Sequence, residues 1–123
     1  MQKSICLILF VFFSGFIPTA QADFLGSYYA RLSSNDHYNS KGNRLRNAAA
    51  IVRQDRANYH RFHIRDSEDN WDSVFGSKQN RARMERMLNR GSWTKGLRKK
   101  IVTQTPLIHV EIYTNFINLQ VLD

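Results

Sequence analysis

Cysteine is almost absent from this chain, whose single cysteine is Cys6. Cys6 lies inside an unbroken apolar run from Ile5 to Phe13, close to the N-terminus. Residues 23–123 therefore contain no disulfide and no cysteine nucleophile. Small secreted domains usually depend on disulfides for stability. Their absence favours a bacterial export product that has either a well-packed core or a stabilising partner.

Long apolar runs are also scarce, because Ile5–Phe13 is not followed by a second one. A basic start at Lys3, the apolar run, Pro18 and the small-x-small sequence Ala20-Gln21-Ala22 form the pattern of a secretory signal peptide. The run is too short for a stable membrane span. We expect residues 1–22 to be cleaved after Ala22, which leaves no stable transmembrane anchor. We therefore expect a periplasmic or secreted protein of residues 23–123.

Acidic residues are few relative to basic ones, and the formal net charge is +8 at pH 7. Loss of Lys3 with the leader lowers this charge by one. Arginine supplies most of the positive charge, and its planar guanidinium binds phosphate and carboxylate groups through two contacts. The composition favours an anionic polymer, a membrane surface or an acidic protein as the partner. Solubility alone also accounts for such a charge.

Catalytic signatures are missing as well. Residues 23–123 contain no Gly-x-Ser-x-Gly elbow and no phosphate-binding loop. Nothing in the sequence calls for a cofactor, and we predict none. The remaining candidates for acid–base chemistry are the residues His37, His60, His63, Asp55 and Asp66.

The pattern of the chain predicts a strand, a loop, two or three helices and a final β-hairpin. Aromatic residues indicate a strand within 24–32, and the polar segment 33–43 reads as an ordered loop. Asn47 is expected to cap a helix that extends to about Phe62, with Phe62 on its apolar stripe. Ser77 and Gly91 are expected to bound a second helix. A third helix is predicted after Ser92 or Thr94.

Alternating apolar residues at 107–113 and 116–122 predict the C-terminal hairpin. A turn at Thr114-Asn115 pairs Ile112 with Ile117 and places the apolar side chains of both strands on one face. The sequence therefore predicts a small single α+β domain, with two or three helices packed on a short antiparallel sheet.

Asp55 falls within the apolar stripe of the first predicted helix, where an ionised carboxylate requires a partner. Arg44 and the Tyr59 hydroxyl are the candidate partners. We interpret Asp55 as an anchor between the loop 33–43 and the helix, with a tuned acid or base as the alternative.

Two sets of polar residues contain side chains that can ligate a metal ion, but the spacing of neither set matches a known metal-binding motif. His60, His63 and Asp66 are spaced by three, without a fourth ligand. The acidic segment 65–73 alternates like the start of a calcium loop, but Trp71 stands where that loop needs glycine. We predict no metal site. We expect Trp71 to pack as a lid on the core.

The second helix presents the best binding candidates. Arg83, Arg86 and Arg90 fall on the side opposite its apolar edge, and Lys99 and Lys100 are expected to extend the positive strip. An ordinary solvated helix face is the alternative. No aromatic side chains are interleaved with the strip, which argues against stacking of nucleic-acid bases there.

The sequence leads us to expect a non-catalytic binding protein for an anionic or protein partner, a class that includes secreted effectors. The alternative is a small secreted hydrolase of the nuclease or phosphodiesterase type that uses the His and Asp side chains named above. A periplasmic immunity or inhibitor protein is a third possibility.

Overall fold

The computed structural model describes residues 22–94 and 96–123. All of the predicted leader except Ala22 lies outside this part of the chain. The helices and strands confirm the predicted α+β class. In chain order they are β1 (Phe24–Arg31), a 3₁₀ turn (Ser34–His37), α1 (Ala48–Ala57), a π-helical turn (Asn58–Phe62), α2 (Lys78–Arg90), α3 (Leu97–Thr103), β2 (Leu107–Tyr113) and β3 (Ile117–Val121).

The three strands form one antiparallel sheet in the order β1-β2-β3. The hairpin has the predicted register, with Ile112 opposite Ile117 and Val110 opposite Leu119. A two-residue connection is closed by the Tyr113 backbone N–H, which donates to the Phe116 carbonyl oxygen at 3.0 Å. The apolar alternation sets this register because a slip by one residue would turn each core side chain towards solvent.

The helices cover one face of the sheet, and the core lies between these two layers. The core side chains come from every strand or helix that faces the interface between the layers. They include Tyr28 and Ala30 of β1, Leu32 directly after β1, Ile108, Val110 and Ile112 of β2, Ile51 and Val52 of α1, Met84 and Leu88 of α2, and Ile101 of α3. Burial of each large aliphatic side chain contributes about 1.5–3 kcal/mol to stability. The opposite face is polar and aromatic, and the rings of Tyr29 and His109 lie 4.5 Å apart there.

Helix α1 begins at the predicted cap, where the Asn47 side chain accepts a hydrogen bond from the Ala50 N–H at 3.0 Å. Its last turn is π-helical, and the chain leaves it at His63 in a left-handed conformation with φ of 56°. The π turn changes the phase of the helix. This is why the prediction that Phe62 lies on the apolar stripe is wrong: Phe62 is exposed.

Helix α2 has the predicted boundaries, because the Ser77 side chain accepts from the Asn80 N–H and Gly91 follows the last turn. Helix α3 begins later than predicted. Its N-terminal flanking residue is Gly96, whose φ of 99° is accessible to glycine and strained for other residues. Ile101 of this helix is fully buried in the core.

The acidic segment 65–73 covers the open edge of β1. The Asn70 N–H donates to the Tyr29 carbonyl oxygen at 2.9 Å, and the Asp69 carboxylate accepts from the Arg31 N–H at 2.8 Å. Asp72 turns inward and is buried. Its neighbour Trp71 therefore faces outward with 66% of its surface exposed, so the prediction of a lid is wrong.

No helix within residues 22–94 and 96–123 has both the length and the apolar character that a membrane span requires.

Candidate anion-binding groove

The basic strip predicted from the sequence divides between two helices. Arg86 and Arg90 are exposed on α2, whereas the Arg83 guanidinium donates to the Thr114 carbonyl oxygen of the hairpin turn at 2.6 Å. Lys99 is exposed on α3. Lys100 lies close enough to Asp123 to contribute to the lowering of that carboxyl's pKa, which is due chiefly to hydrogen bonds. Arg86, Arg90 and Lys99 thus remain exposed cations, whereas Arg83 is engaged with the hairpin turn.

A second set of cations converges between α1 and α2. A groove of about 300 Å³ lies there, and its charged lining residues are Arg53, Arg61, Lys78, Arg81 and Glu85. Arg53 and Glu85 form an ion pair at 2.7 Å across the two helices. Within residues 22–94 and 96–123, neither Arg61 nor Lys78 forms an ion pair with a carboxylate. The groove thus holds four cations and one anion.

Arg81 is the fixed element of this groove. It is buried, and its Nη1 donates to the carbonyl oxygens of Phe75 and Gly76, both at 3.0 Å. Burial lowers the pKa of Arg81, and the nearby positive charges of Arg53 and Arg61 lower it further. The three guanidinium groups therefore repel one another, and a bound anion would relieve this repulsion.

A wider hollow of about 540 Å³ continues from the basic groove and has a different lining. Asn39, Ser40, Gln54 and Phe62 line both, so the two form one continuous surface. The remaining side chains of the hollow are those of Asn35, Tyr38, Asn58 and Ile64. The hollow is therefore lined by amides and apolar groups, without a charged side chain.

Asp55 belongs to a buried ion network beneath α1. Its expected burial on the apolar face is confirmed, but its partner is Arg56, whose Nε donates to Oδ2 at 2.8 Å. The predicted partner Arg44 instead donates to the Val102 carbonyl oxygen. Arg56 also pairs with Asp72 at 2.9 Å. Burial raises the pKa of Asp55, although the charge of Arg56 opposes this effect.

Asp36, and not Asp55, ties the loop to the helix. Its carboxylate accepts from the Asn58 side-chain amide at 2.9 Å and from the Ser33 backbone N–H at 3.1 Å. Burial is the main cause that raises the pKa of Asp36 to about 6, and the charges of Asp66 and Asp69 add to it. The contact that we assigned to Asp55 from the sequence is thus made by a neighbouring acid.

The histidines considered for acid–base chemistry occupy separate places. His37 is buried, and its two ring nitrogens face the carbonyl oxygens of Ser33 and Ile101 at 2.7 and 2.8 Å. His60 contacts the Asp72 carboxylate at 2.7 Å. His63 is exposed beyond the π turn. None of the five candidates His37, His60, His63, Asp55 and Asp66 lines the continuous groove.

The acidic segment also directs its side chains to separate partners. Glu68 pairs with Arg31 at 2.6 Å, Asn70 Oδ1 accepts from the Tyr29 N–H, and Asp72 joins the buried network. In the part of the chain that the structure describes, no three His, Asp or Glu side chains are arranged to hold a metal ion.

Sequence reasoning missed the convergence of Arg53, Arg61 and Arg81. A helical projection already places Arg53 and Arg61 away from the apolar stripe of α1. Arg81 precedes Met84 by three residues and Leu88 by seven, so the same projection places it on the apolar edge of α2. An arginine at an apolar position of the helix was thus the signal in the sequence that could have identified Arg81 as part of a site. How closely α1 and α2 approach is set by tertiary packing.

Comparison with known proteins adds no relative, because no family model, curated protein or solved structure matches this chain.

Proposed function

We propose that this chain is a non-catalytic binding protein for an anionic partner, with the groove between α1 and α2 as its principal site. One observation carries the proposal. Four cationic side chains line the same groove, and Glu85 is the only acidic side chain that the described part of the chain contributes to its lining. The four cations are Arg53, Arg61, Lys78 and Arg81. Like charges placed so close together disfavour the unliganded state. A phosphate, sulfate or carboxylate group would offset this charge.

The geometry of the groove supports a bound ligand better than a merely solvated surface. The guanidinium of Arg81 is held by two backbone carbonyls, so its position is set before a ligand arrives. Pre-organised donors lose little conformational entropy on binding. Arg61 and Lys78 are exposed and can reach an incoming anion. Guanidinium contacts to phosphate or carboxylate are charge-assisted and short.

Export remains part of the proposal, on the evidence of the N-terminal sequence pattern alone. A chain cleaved after Ala22 would meet its partner in the periplasm or outside the cell, and a secreted effector belongs to this class. Binding is favoured over hydrolysis because none of the five candidate acid–base residues lines the groove. His37 is enclosed by backbone carbonyls, and Asp55 is bound to Arg56.

The test is a calorimetric titration of the full chain with inorganic pyrophosphate at fixed ionic strength. The variant Arg61→Gln/Lys78→Gln removes two groove cations and leaves the Arg53–Glu85 pair intact. We expect the affinity to fall about tenfold for each lost charge-assisted contact of about 1.5 kcal/mol. Pyrophosphate that remains intact after incubation agrees with a binding protein, whereas turnover would support the hydrolase alternative.

The matched control is Arg86→Gln/Lys99→Gln, which removes the same residue types from the strip predicted by the sequence. We expect it to bind pyrophosphate within about twofold of the parent chain, allowing only for the change in overall charge. Loss of affinity in the control pair, with no loss in the groove pair, would place the site on the outer strip and refute the proposal.

A further inference from the structure

The amide-lined hollow beside the basic groove presents two aromatic side chains to solvent. Tyr38 is 45% exposed and Phe62 is 41% exposed. Both rings line a concave surface, where a ligand can reach them. Phe62 also lines the basic groove, so a ligand can contact a ring and a guanidinium at once.

Each ring is accompanied by an arginine. The Arg44 guanidinium carbon lies 5.5 Å from the centre of the Tyr38 ring, and that of Arg61 lies 5.3 Å from the centre of Phe62. Proteins that bind single-stranded nucleic acids combine aromatic rings with arginines, because the bases stack on the rings while the cations contact the phosphates.

Among residues 22–94 and 96–123, two amides of the hollow have hydrogen-bonding atoms without a partner. Gln54 donates through Nε2 to the Asn58 side-chain oxygen, which leaves its own Oε1 as an acceptor. The Asn39 Oδ1 accepts from the Lys41 and Asn43 backbone N–H groups, which leaves its Nδ2 as a donor. A planar ligand edge that carries both donors and acceptors is complementary to such a pair.

From these observations we propose that the continuous groove binds a short stretch of single-stranded nucleic acid, with bases stacked on Tyr38 and Phe62 and phosphates held by Arg53, Arg61 and Arg81. This inference rests on the proposed function and specifies its ligand. An acidic polysaccharide also brings rings and negative charge, but its edges are hydroxyl groups and its rings are not planar. The planar bases fit the paired rings and amides better.

The experiment compares two labelled octamers of equal phosphate number by fluorescence anisotropy, at one ionic strength. One is octathymidylate and the other is an abasic octamer, so the two differ only in their bases. We expect the full chain to bind octathymidylate at least tenfold more tightly, since stacking acts on each base separately. Because this comparison needs no variant, it does not depend on how a substitution affects folding.

A matched pair of variants locates the stacking. Tyr38→Leu/Phe62→Leu should lower the affinity for octathymidylate at least tenfold and leave the abasic octamer within about twofold. Tyr29→Leu/Phe116→Leu removes the same ring types, 44% and 46% exposed, from elsewhere on the surface. We expect this control to bind both octamers as the parent chain does.

The outcomes separate this inference from the proposed function. Equal binding of the two octamers, weakened by Arg61→Gln/Lys78→Gln, would overturn the base-stacking inference and leave the anion site standing. No binding of octamers or pyrophosphate would overturn both. Polygalacturonate that binds more tightly than octathymidylate, and that loses affinity in Tyr38→Leu/Phe62→Leu, would assign the groove to an acidic polysaccharide and overturn the nucleic-acid assignment.

Discussion

Replacement of Arg56 by Met tests how the buried ion network contributes to stability. Arg56 is fully buried, and its guanidinium carbon lies 3.8 Å from the centre of the Tyr28 ring and 4.6 Å from that of Tyr59. It pairs with Asp55 at 2.8 Å and with Asp72 at 2.9 Å. Methionine fills much of the same volume but removes the charge, so two buried carboxylates lose their cation.

The magnitude follows from the burial of both partners. Removal of one member of a buried ion pair destabilises a protein by about 3–5 kcal/mol, because the remaining charge is left uncompensated. Small domains unfold with free energies of about 5–15 kcal/mol, so the loss is a large share of the total. Loss of Arg56 raises the pKa of Asp55 beyond the increase that burial already causes, and it raises the pKa of Asp72 from a value below its ordinary one. Their protonation at lower pH should then reduce the deficit of the variant.

Urea denaturation at pH 7 and pH 4.5, followed by circular dichroism, measures this free energy directly. We expect Arg56→Met to lose about 3–5 kcal/mol at pH 7 and less at pH 4.5. Arg56→Met/Asp55→Asn should recover at least about 1 kcal/mol, since one uncompensated charge is gone. Arg86→Met on the surface is the control and should change stability by less than about 0.5 kcal/mol. A deficit for Arg56→Met below about 1 kcal/mol, or one that does not vary with pH, would refute the reasoning.

Two further predictions concern the loop and the first helix. The pKa of Asp36 is about 6 in the folded chain, against an ordinary value of 3.8, so the folded state binds this proton more tightly than the unfolded state does. The protonated carboxyl therefore stabilises the fold fully below pH 3.8, and this stabilisation is lost as the pH rises through 6. Between pH 4 and pH 7 the parent chain should therefore lose up to about 3 kcal/mol of unfolding free energy relative to Asp36→Asn, which has no such carboxyl. A difference between the two chains that stays constant with pH would contradict this. Replacement of the helix cap, Asn47→Ala, should lower the unfolding free energy by about 1 kcal/mol in urea, and no change would show that the Ala50 N–H finds another acceptor.

The parts of the fold that were predictable are those that local chemistry determines. Asn47 and Ser77 each supply a side-chain oxygen to a free N–H group at the start of a helix, and this needs no tertiary contact. The hairpin register follows from alternation, since only one pairing aligns the apolar residues of both strands. These features can be derived from a few consecutive residues.

The errors arose where tertiary contacts decide the outcome. The π turn after Ala57 rotates Phe62 away from the stripe that regular helical spacing assigns to it. Trp71 faces solvent because its two neighbours are held by the fold: Asn70 is hydrogen-bonded to the edge of β1, and Asp72 forms an ion pair with Arg56. Arg56 itself could not be recognised as the partner of Asp55, because adjacent residues of a helix ordinarily point in different directions.

The sequence predicts the kind of ligand that the candidate site would bind, but not where on the fold the site lies. Positive charge and the excess of arginine indicate an anionic partner in either case. The outer arginines of α2 are found by a projection of one helix, whereas the groove needs α1 and α2 side by side. Arg53 and Arg81 are twenty-eight residues apart in the sequence, and only the packing of their helices brings them to one surface.

An NMR titration of the arginine side-chain Nε–H resonances with pyrophosphate shows directly which guanidinium groups bind the anion. If the groove is the site, the resonances of Arg53, Arg61 and Arg81 shift together and yield one dissociation constant. Shifts confined to Arg86 and Arg90, with the groove arginines unchanged at saturation, would contradict it.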